Sequence, residues 1–270
     1  MNTQIDTLNK ISKVFKVFKA SDAEIRPHFI LTGPSGSGKS FNVLQLCEDN
    51  KLNFLEINAA QLTKEGLSGN SLSKALAPLG NMGDRPCVCF VDEFDKLFIS
   101  GNSNSDLAHE STNGVQNEML KILESATTSV FGDYGKYREI SVGKVLFVFA
   151  GAFNGEEDLN MDRLRQMGMK TELLGRVGLV FNLKRLSLET LRSCLENSEL
   201  LSNYLSLYRD VKRAEVVATV MEAVEQNYEN NTIGARLLNT LLHQYFINGG
   251  TLPQQTVKAS SFQSKLSLKD

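Results

Sequence analysis

Apolar and polar positions follow two different regimes along the chain. Up to about residue 160, short apolar runs alternate with segments whose apolar residues recur at helical spacing. Residues 27–32, 53–58, 87–91 and 144–150 read as strands, and the unbroken run at 87–91 is of the kind found in a sheet covered on both faces. Ile5, Leu8, Ile11, Phe15 and Phe18 place a helix in the first twenty residues, and residues 41–47 and 71–79 place two more. A fourth spans 115–125, with Val115, Met119, Ile122 and Leu123 on one side. Beyond Asn160 the texture is nearly all helix, with candidates at 186–205, 211–225 and 232–246. The alternation predicts an α/β fold, a parallel sheet with helices on both faces, followed by a small α-helical domain. We expect a large domain over 1–184, a small helical one over 185–250, and a loosely held tail over 251–270, rich in Ser, Thr and Gln. Residues 100–113, rich in Ser, Asn and Gly, read as a mobile loop with His109 solvated in it.

Composition narrows the class without naming a chemistry. A chain of 270 residues can form one large domain and a smaller one, and 41% apolar with 22% charged residues is the balance of a soluble globular protein. The net charge of −2 provides no general footprint for nucleic acid. No apolar run approaches a bilayer span and no signal-peptide core is present, so cytoplasm is the expected compartment, with no membrane partner. Cys47, Cys87, Cys89 and Cys194 have no metal-ligand spacing with histidines, and Cys87 and Cys89 should face one side of a strand as core packing. Lys10, Lys13, Lys16 and Lys19 make the first helix basic, which could suit an acidic partner; a solvated face over a packed one is favoured.

The chemistry is concentrated in two places. Gly33-Pro34-Ser35-Gly36-Ser37-Gly38-Lys39-Ser40 satisfies the phosphate-loop pattern G-x-x-x-x-G-K-[ST] between a strand and a helix. Its glycines let successive N–H groups turn to one point, where the helix N-terminus adds positive potential. Lys39 would reach the β- and γ-phosphates and the Ser40 hydroxyl would ligate Mg²⁺; Phe41, next in the helix, is taken with the loop as a nucleotide contact. Asp92 and Glu93 then close the 87–91 strand. Asp92 would hold Mg²⁺ through water and Glu93 would orient and polarise the attacking water.

These segments resemble the AAA+ ATPases, and among them the ClpX/HslU-type unfoldases, over roughly residues 29–249. Walker A is Gly33–Ser40, and Walker B is 88–93 continued by Phe94-Asp95-Lys96-Leu97. Residues 114–124 resemble the family's next helix, and 147–153 its sensor-1 strand end, with Asn154 the nearest polar candidate. Glu172-Leu173-Leu174-Gly175-Arg176-Val177 looks like its arginine-finger segment and Ile233-Gly234-Ala235-Arg236 like its sensor-2 motif. The resemblance implies ATP and Mg²⁺ as cofactors, a P-loop ATPase domain with a helical lid, and a homo-oligomeric ring, a hexamer, acting on a protein substrate or adaptor. It implies that Arg176 completes a neighbouring subunit's site while Arg236 acts in its own subunit. A planar guanidinium is well shaped to receive charge developing on the γ-phosphate. The sequence departs from the family at Leu67, where a substrate-gripping loop carries an aromatic, in having no Cys₄ zinc domain, and in the short 153–176 segment, which argues against a partner peptidase.

Other readings remain open. A nucleic-acid loader or remodeller keeps the same ATPase chemistry; the near-neutral charge speaks against it and the N-terminal lysines for it. A non-hydrolysing scaffold is disfavoured by Lys39 and Glu93, and a small-molecule kinase by the lack of clustered lid arginines.

Overall fold

A computed structural model describes residues 3–63, 70–99, 106–132, 135–252 and 267–268. In chain order the first part holds α1 (Thr3–Ala20), β1 (Phe29–Thr32), α2 (Lys39–Asn50), β2 (Asn53–Asn58), the short strands β3 (Leu62–Thr63) and β4 (Asn70–Ser71), and α3 (Leu72–Ala75). It continues through β5 (Cys87–Asp92), α4 (Asp106–Glu124), β6 (Thr127–Phe131), β7 (Tyr137–Ser141), β8 (Val145–Gly151), α5 (Met161–Gln166), α6 (Thr171–Val177) and β9 (Leu179–Asn182). Five strands form one parallel sheet in the order β2-β5-β8-β1-β9. The fold is the expected α/β one.

Alternation along the strands assigns each residue to one of two apolar layers. Cys87, Cys89, Val91, Phe147 and Phe149 face a core shared with α4 and α6. Val88, Phe90, Leu146, Val148, Phe29 and Leu31 face a second core, closed by Ile11, Val14, Phe15 and Phe18 of α1 and Val43 and Cys47 of α2. Both faces being covered explains why β5 and β8 read as unbroken apolar runs. Each fully buried phenylalanine contributes roughly 1.5–3 kcal/mol, so Phe15 and Phe18, both fully buried, anchor α1 to the sheet. Lys10, Lys13, Lys16 and Lys19 are exposed on its other face. Burial pushes the Cys47 and Cys87 thiols up to about 12, as inert packing groups.

Contacts divide the chain into two units: residues 1–34 with 38–184, and 35–37 with 185–270. The second holds α7 (Leu188–Glu196), α8 (Glu199–Leu207), β10 (Tyr208–Arg209), α9 (Arg213–Asn227), α10 (Arg236–Ile247) and β11 (Ser267–Leu268), which pairs antiparallel with β10. Its core joins Leu191, Leu195, Val220, Val224, Leu242 and Phe246, and Tyr204 stacks on Phe246 with centroids 4.3 Å apart.

The structure corrects several element boundaries. Residues 186–205 are two helices, because Asn197 closes the first and the next is capped by Ser198, whose Oγ accepts from Leu201 N–H (3.3 Å). Residues 71–79 are a single α-turn and a 3₁₀ turn, with Pro78 opening the latter. Part of the expected loop at 100–113 is helix, since α4 starts at Asp106. The hairpin β6–β7, the edge strand β9 and the helices α5 and α6 carry too weak a pattern to announce themselves. Leu67, and residues 253–266 and 269–270 of the expected tail, lie outside the described residues.

Candidate functional site

Parallel register brings the strand ends to one edge. Asn58 pairs with Asp92, and Thr32 pairs with both Gly151 and Asn182. Gly33, Glu93 and Ala152 therefore all leave the sheet on the same side, where ligands bind in open parallel sheets. Asn182 secures the β1–β9 end: its Oδ1 accepts from Thr32 Oγ1 (2.6 Å) and Leu159 N–H (2.8 Å), and its Nδ2 donates to Leu159 O (2.9 Å).

The phosphate loop turns through left-handed backbone at Gly36 (φ 69°) and Gly38 (φ 86°), a region closed to most L-residues. Gly38 is the N-cap of α2 and supplies no side-chain cap, so the first-turn N–H groups stay available to an anion. Lys39 Nζ donates to Gly33 O (2.6 Å) and Pro34 O (3.1 Å), which curls the ammonium over the loop. Ser37 is buried and its Oγ has no hydrogen-bond partner. An uncapped helix end, an orphaned hydroxyl and an ammonium folded onto the loop are features that a bound phosphate would satisfy. The residues fit the group. Phe41, in the first turn of α2, is 70% exposed, a free aromatic face beside the loop.

Residues 35–37 pack with the helical unit. Ala235 N–H donates to Gly36 O (3.2 Å) and Arg236 Nη1 to Ser35 Oγ (3.3 Å). Approach is so close that a Cβ on Gly36 would collide with the Ile233 carbonyl, and one on Gly234 would lie 2.6 Å from Gly36 O. Asn231 shapes this turn: its Oδ1 accepts from Ile233 N–H (3.0 Å) and Gly234 N–H (2.9 Å). Asn231 was not anticipated, although an Asn three residues before a Gly-Ala pair is a turn signal.

At the end of β5, Asp92 Oδ1 accepts from Glu93 N–H (2.9 Å), and Glu93 stands exposed in left-handed backbone (φ 53°). Asp92 and Ser40 carry hard oxygen donors of the kind Mg²⁺ takes, and the ion would complete its shell with water and phosphate oxygens. Glu56, on the neighbouring β2, was not anticipated. Partial burial and then the Asp92 charge hold its carboxyl above the usual range. Asn154 is exposed just past β8, also left-handed (φ 56°). Arg176 stands on α6, where its Nη2 pairs with Glu124 Oε1 of α4 (2.8 Å). That helix is fastened to α4 at its other end too, Lys170 N–H donating to Gln116 Oε1 (3.1 Å). Among the described residues no cluster of three or more His, Cys, Asp or Glu could hold a metal by itself, and no helix is long and apolar enough to cross a membrane.

Residues 29–172 match the family described as ATPase family associated with various cellular activities (AAA). The chain belongs to the AAA family. As an AAA ATPase it is an ATP-hydrolysing enzyme, and its relatives are of ClpX type. It is 26% identical over 256 residues to the ATP-dependent Clp protease ATP-binding subunit ClpX 2 of Wolinella succinogenes, a match taking in 81% of this chain and 64% of that protein. It is 22% identical over 284 residues to ClpX of Bacteroides thetaiotaomicron, with 88% and 69% covered. This AAA chain thus spans about two thirds of the length of these relatives.

Proposed function

We propose that the chain is an ATP-driven protein remodeller that works as a ring with nucleotide at its subunit boundaries. The observation that carries this is the convergence of the phosphate loop, the Asp92–Glu93 turn and the Asn154 turn on one edge of the sheet. Backbone N–H groups of the loop and the Lys39 ammonium hold the β- and γ-phosphates. Ser40 and Asp92 would hold Mg²⁺, and the ion would supply positive charge against that developing on the phosphoryl oxygens. Glu93 accepts the proton of the attacking water, while Asn154 hydrogen-bonds that water or the γ-phosphate. Phe41 lies against the nucleotide. Arg236 reads the phosphates from the small helical domain, residues 185–250. Arg176 reaches into the neighbouring subunit, and that need for a neighbour is what makes the ring, a hexamer, catalytic.

The two ClpX relatives are ATP-binding subunits of an ATP-dependent Clp protease. For this chain we infer a protein substrate or adaptor without a peptidase: the stretch beyond β8 is taken up by the Phe153–Gly155 turn, α5 and α6, which leaves no long docking loop. Measuring ATPase rate per subunit against protein concentration tests the ring. A cooperative rise is expected, and a rate already saturated for an isolated monomer would sink the proposal. Capturing a protein partner on a Glu93→Gln variant in ATP tests the substrate class. A nucleic-acid role keeps one observation in its favour, the four exposed lysines of α1; salt-dependent DNA binding would establish it in place of the protein one.

A further inference from the structure

Asp95 is the one carboxylate buried among the described residues, at 1% exposure. A buried charge is costly unless fully satisfied, and this one is not. Its Oδ2 accepts from Phe153 N–H (3.2 Å), and its Oδ1 has no hydrogen-bond partner. Lys96 Nζ stands 3.8 Å from Oδ2, too far for a hydrogen bond, on a side chain that is half exposed. Apart from the Phe153 N–H its surroundings are apolar, since Phe94 packs on Phe149 (4.6 Å) and Phe98 on Phe153 (6.0 Å) around it. Satisfying one backbone donor calls for one acceptor, and does not account for the second, unpartnered oxygen.

Its position does. Asp95 lies two residues after Glu93, which holds left-handed backbone, and it grips the N–H of Phe153, which with Asn154 holds left-handed backbone too (φ 48° and 56°). Such conformations are strained for residues with side chains, and they persist only where their surroundings over-determine them. Gly151 is shaped to the same contact: a Cβ there would collide with Asp95 Oδ1 and lie 2.9 Å from its Cγ.

We propose that Asp95 is a positioning residue for ATP hydrolysis, its buried carboxylate latching the Glu93 turn at the end of β5 to the Phe153–Asn154 turn at the end of β8. The two polar groups that flank the attacking water then move as one. This rests on the roles given above to Glu93 and Asn154.

The test uses the full chain with Asp95→Ala, Asp95→Asn, Gly151→Ala and Glu93→Gln, measuring kcat, KM, binding of a fluorescent ATP analogue and thermal unfolding. Misplacing a catalytic group slightly costs on the order of tenfold or more in rate. Asp95→Ala should therefore lower kcat about tenfold or more with analogue binding and KM within about threefold. Asp95→Asn, whose amide oxygen still accepts from Phe153 N–H, should recover most of that loss. Gly151→Ala, which crowds the carboxylate without removing it, should repeat the kcat defect at unchanged analogue binding. The proposal is overturned if Asp95→Ala folds and keeps parental kcat, or if its defect lies in KM alone. Should Asp95→Ala fail to fold, Gly151→Ala decides: a kcat loss with binding intact supports the latch, and parental kcat removes it. Glu93→Gln separates the two levels. If it hydrolyses ATP like the parent, the reading of the site fails; if it is inactive while Asp95→Ala and Gly151→Ala are fully active, only the latch fails.

Discussion

At the C-terminal edge of the sheet the chain leaves its strands through polar turns that stay open, whereas at the N-terminal edge it enters them through contacts that close. Glu93 and Asn154 are exposed in left-handed backbone on one edge. On the other, His28 is 6% exposed and its Nδ1 accepts from Phe147 N–H (3.0 Å). Lys144 pairs there with Asp22 (2.7 Å) and stands 3.9 Å from Asp84. Left-handed residues do occur at this edge, Asp22, Ala23 and Lys51, but they end α1 and α2, where that conformation is an ordinary helix stop. The contrast teaches where each kind of cost falls. Strain and unpaired polarity collect where a substrate would be met, and sealed pairs collect where only the fold is served.

Substitutions can break this contrast or sharpen it. The largest effect is expected from Arg176→Ala, which should lower kcat by on the order of 10³ while ATP still binds. Mixing it with Glu93→Gln subunits should restore part of the activity, since each supplies what the other lacks; mixtures no better than their components would place Arg176 in cis. Glu93→Gln alone should lower kcat by roughly 10² to 10³, with nucleotide affinity and melting temperature close to the parent's.

At the opposite edge the expected change is in stability. Burial, and then the Arg26 charge, push His28 from 6.5 to about 4. The unfolded chain takes up a proton in that window and the folded one does not, so stability is complete above pH 6.5 and is lost as pH falls toward 4. The loss should amount to at most about 3 kcal/mol, read as a shift in urea midpoint between pH 7 and pH 4.5 that a His28→Gln variant lacks. Smallest of all, Lys144→Ala should leave kcat unchanged and move the urea midpoint little, its ion pairs being open to solvent. A large kcat loss at His28 or Lys144 would erase the division between the edges.

Much of this organisation was legible in the residues and some could not be. Cys87–Asp92 and Val145–Gly151 announced themselves because burial on both faces makes a strand uniformly apolar. The loop at Gly33–Ser40 was legible because a phosphate cradle needs glycine at fixed offsets. Leu179–Asn182 was not, since an edge strand with no residue fully buried has no such run. The β6–β7 hairpin buries only Val130 and Ile140, too little alternation to register. Asp95 was visible as one more acid in Asp92-Glu93-Phe94-Asp95, but its burial depends on Gly151 and Phe153, which are distant in sequence. The same holds for the Arg176–Glu124 pair, which joins two helices that no periodicity relates.

The thiols have a practical consequence. Cys47, Cys87 and Cys89 are buried and Cys194 is exposed on α7. Burial raises Cys194 too, though far less completely sealed, so a maleimide dye near neutral pH should enter slowly and at that position alone. Peptide mass mapping would show one label per chain. The native sequence thus arrives with a single attachment point for a fluorophore, and nucleotide-driven changes around α7 can be followed by its emission with no residue replaced.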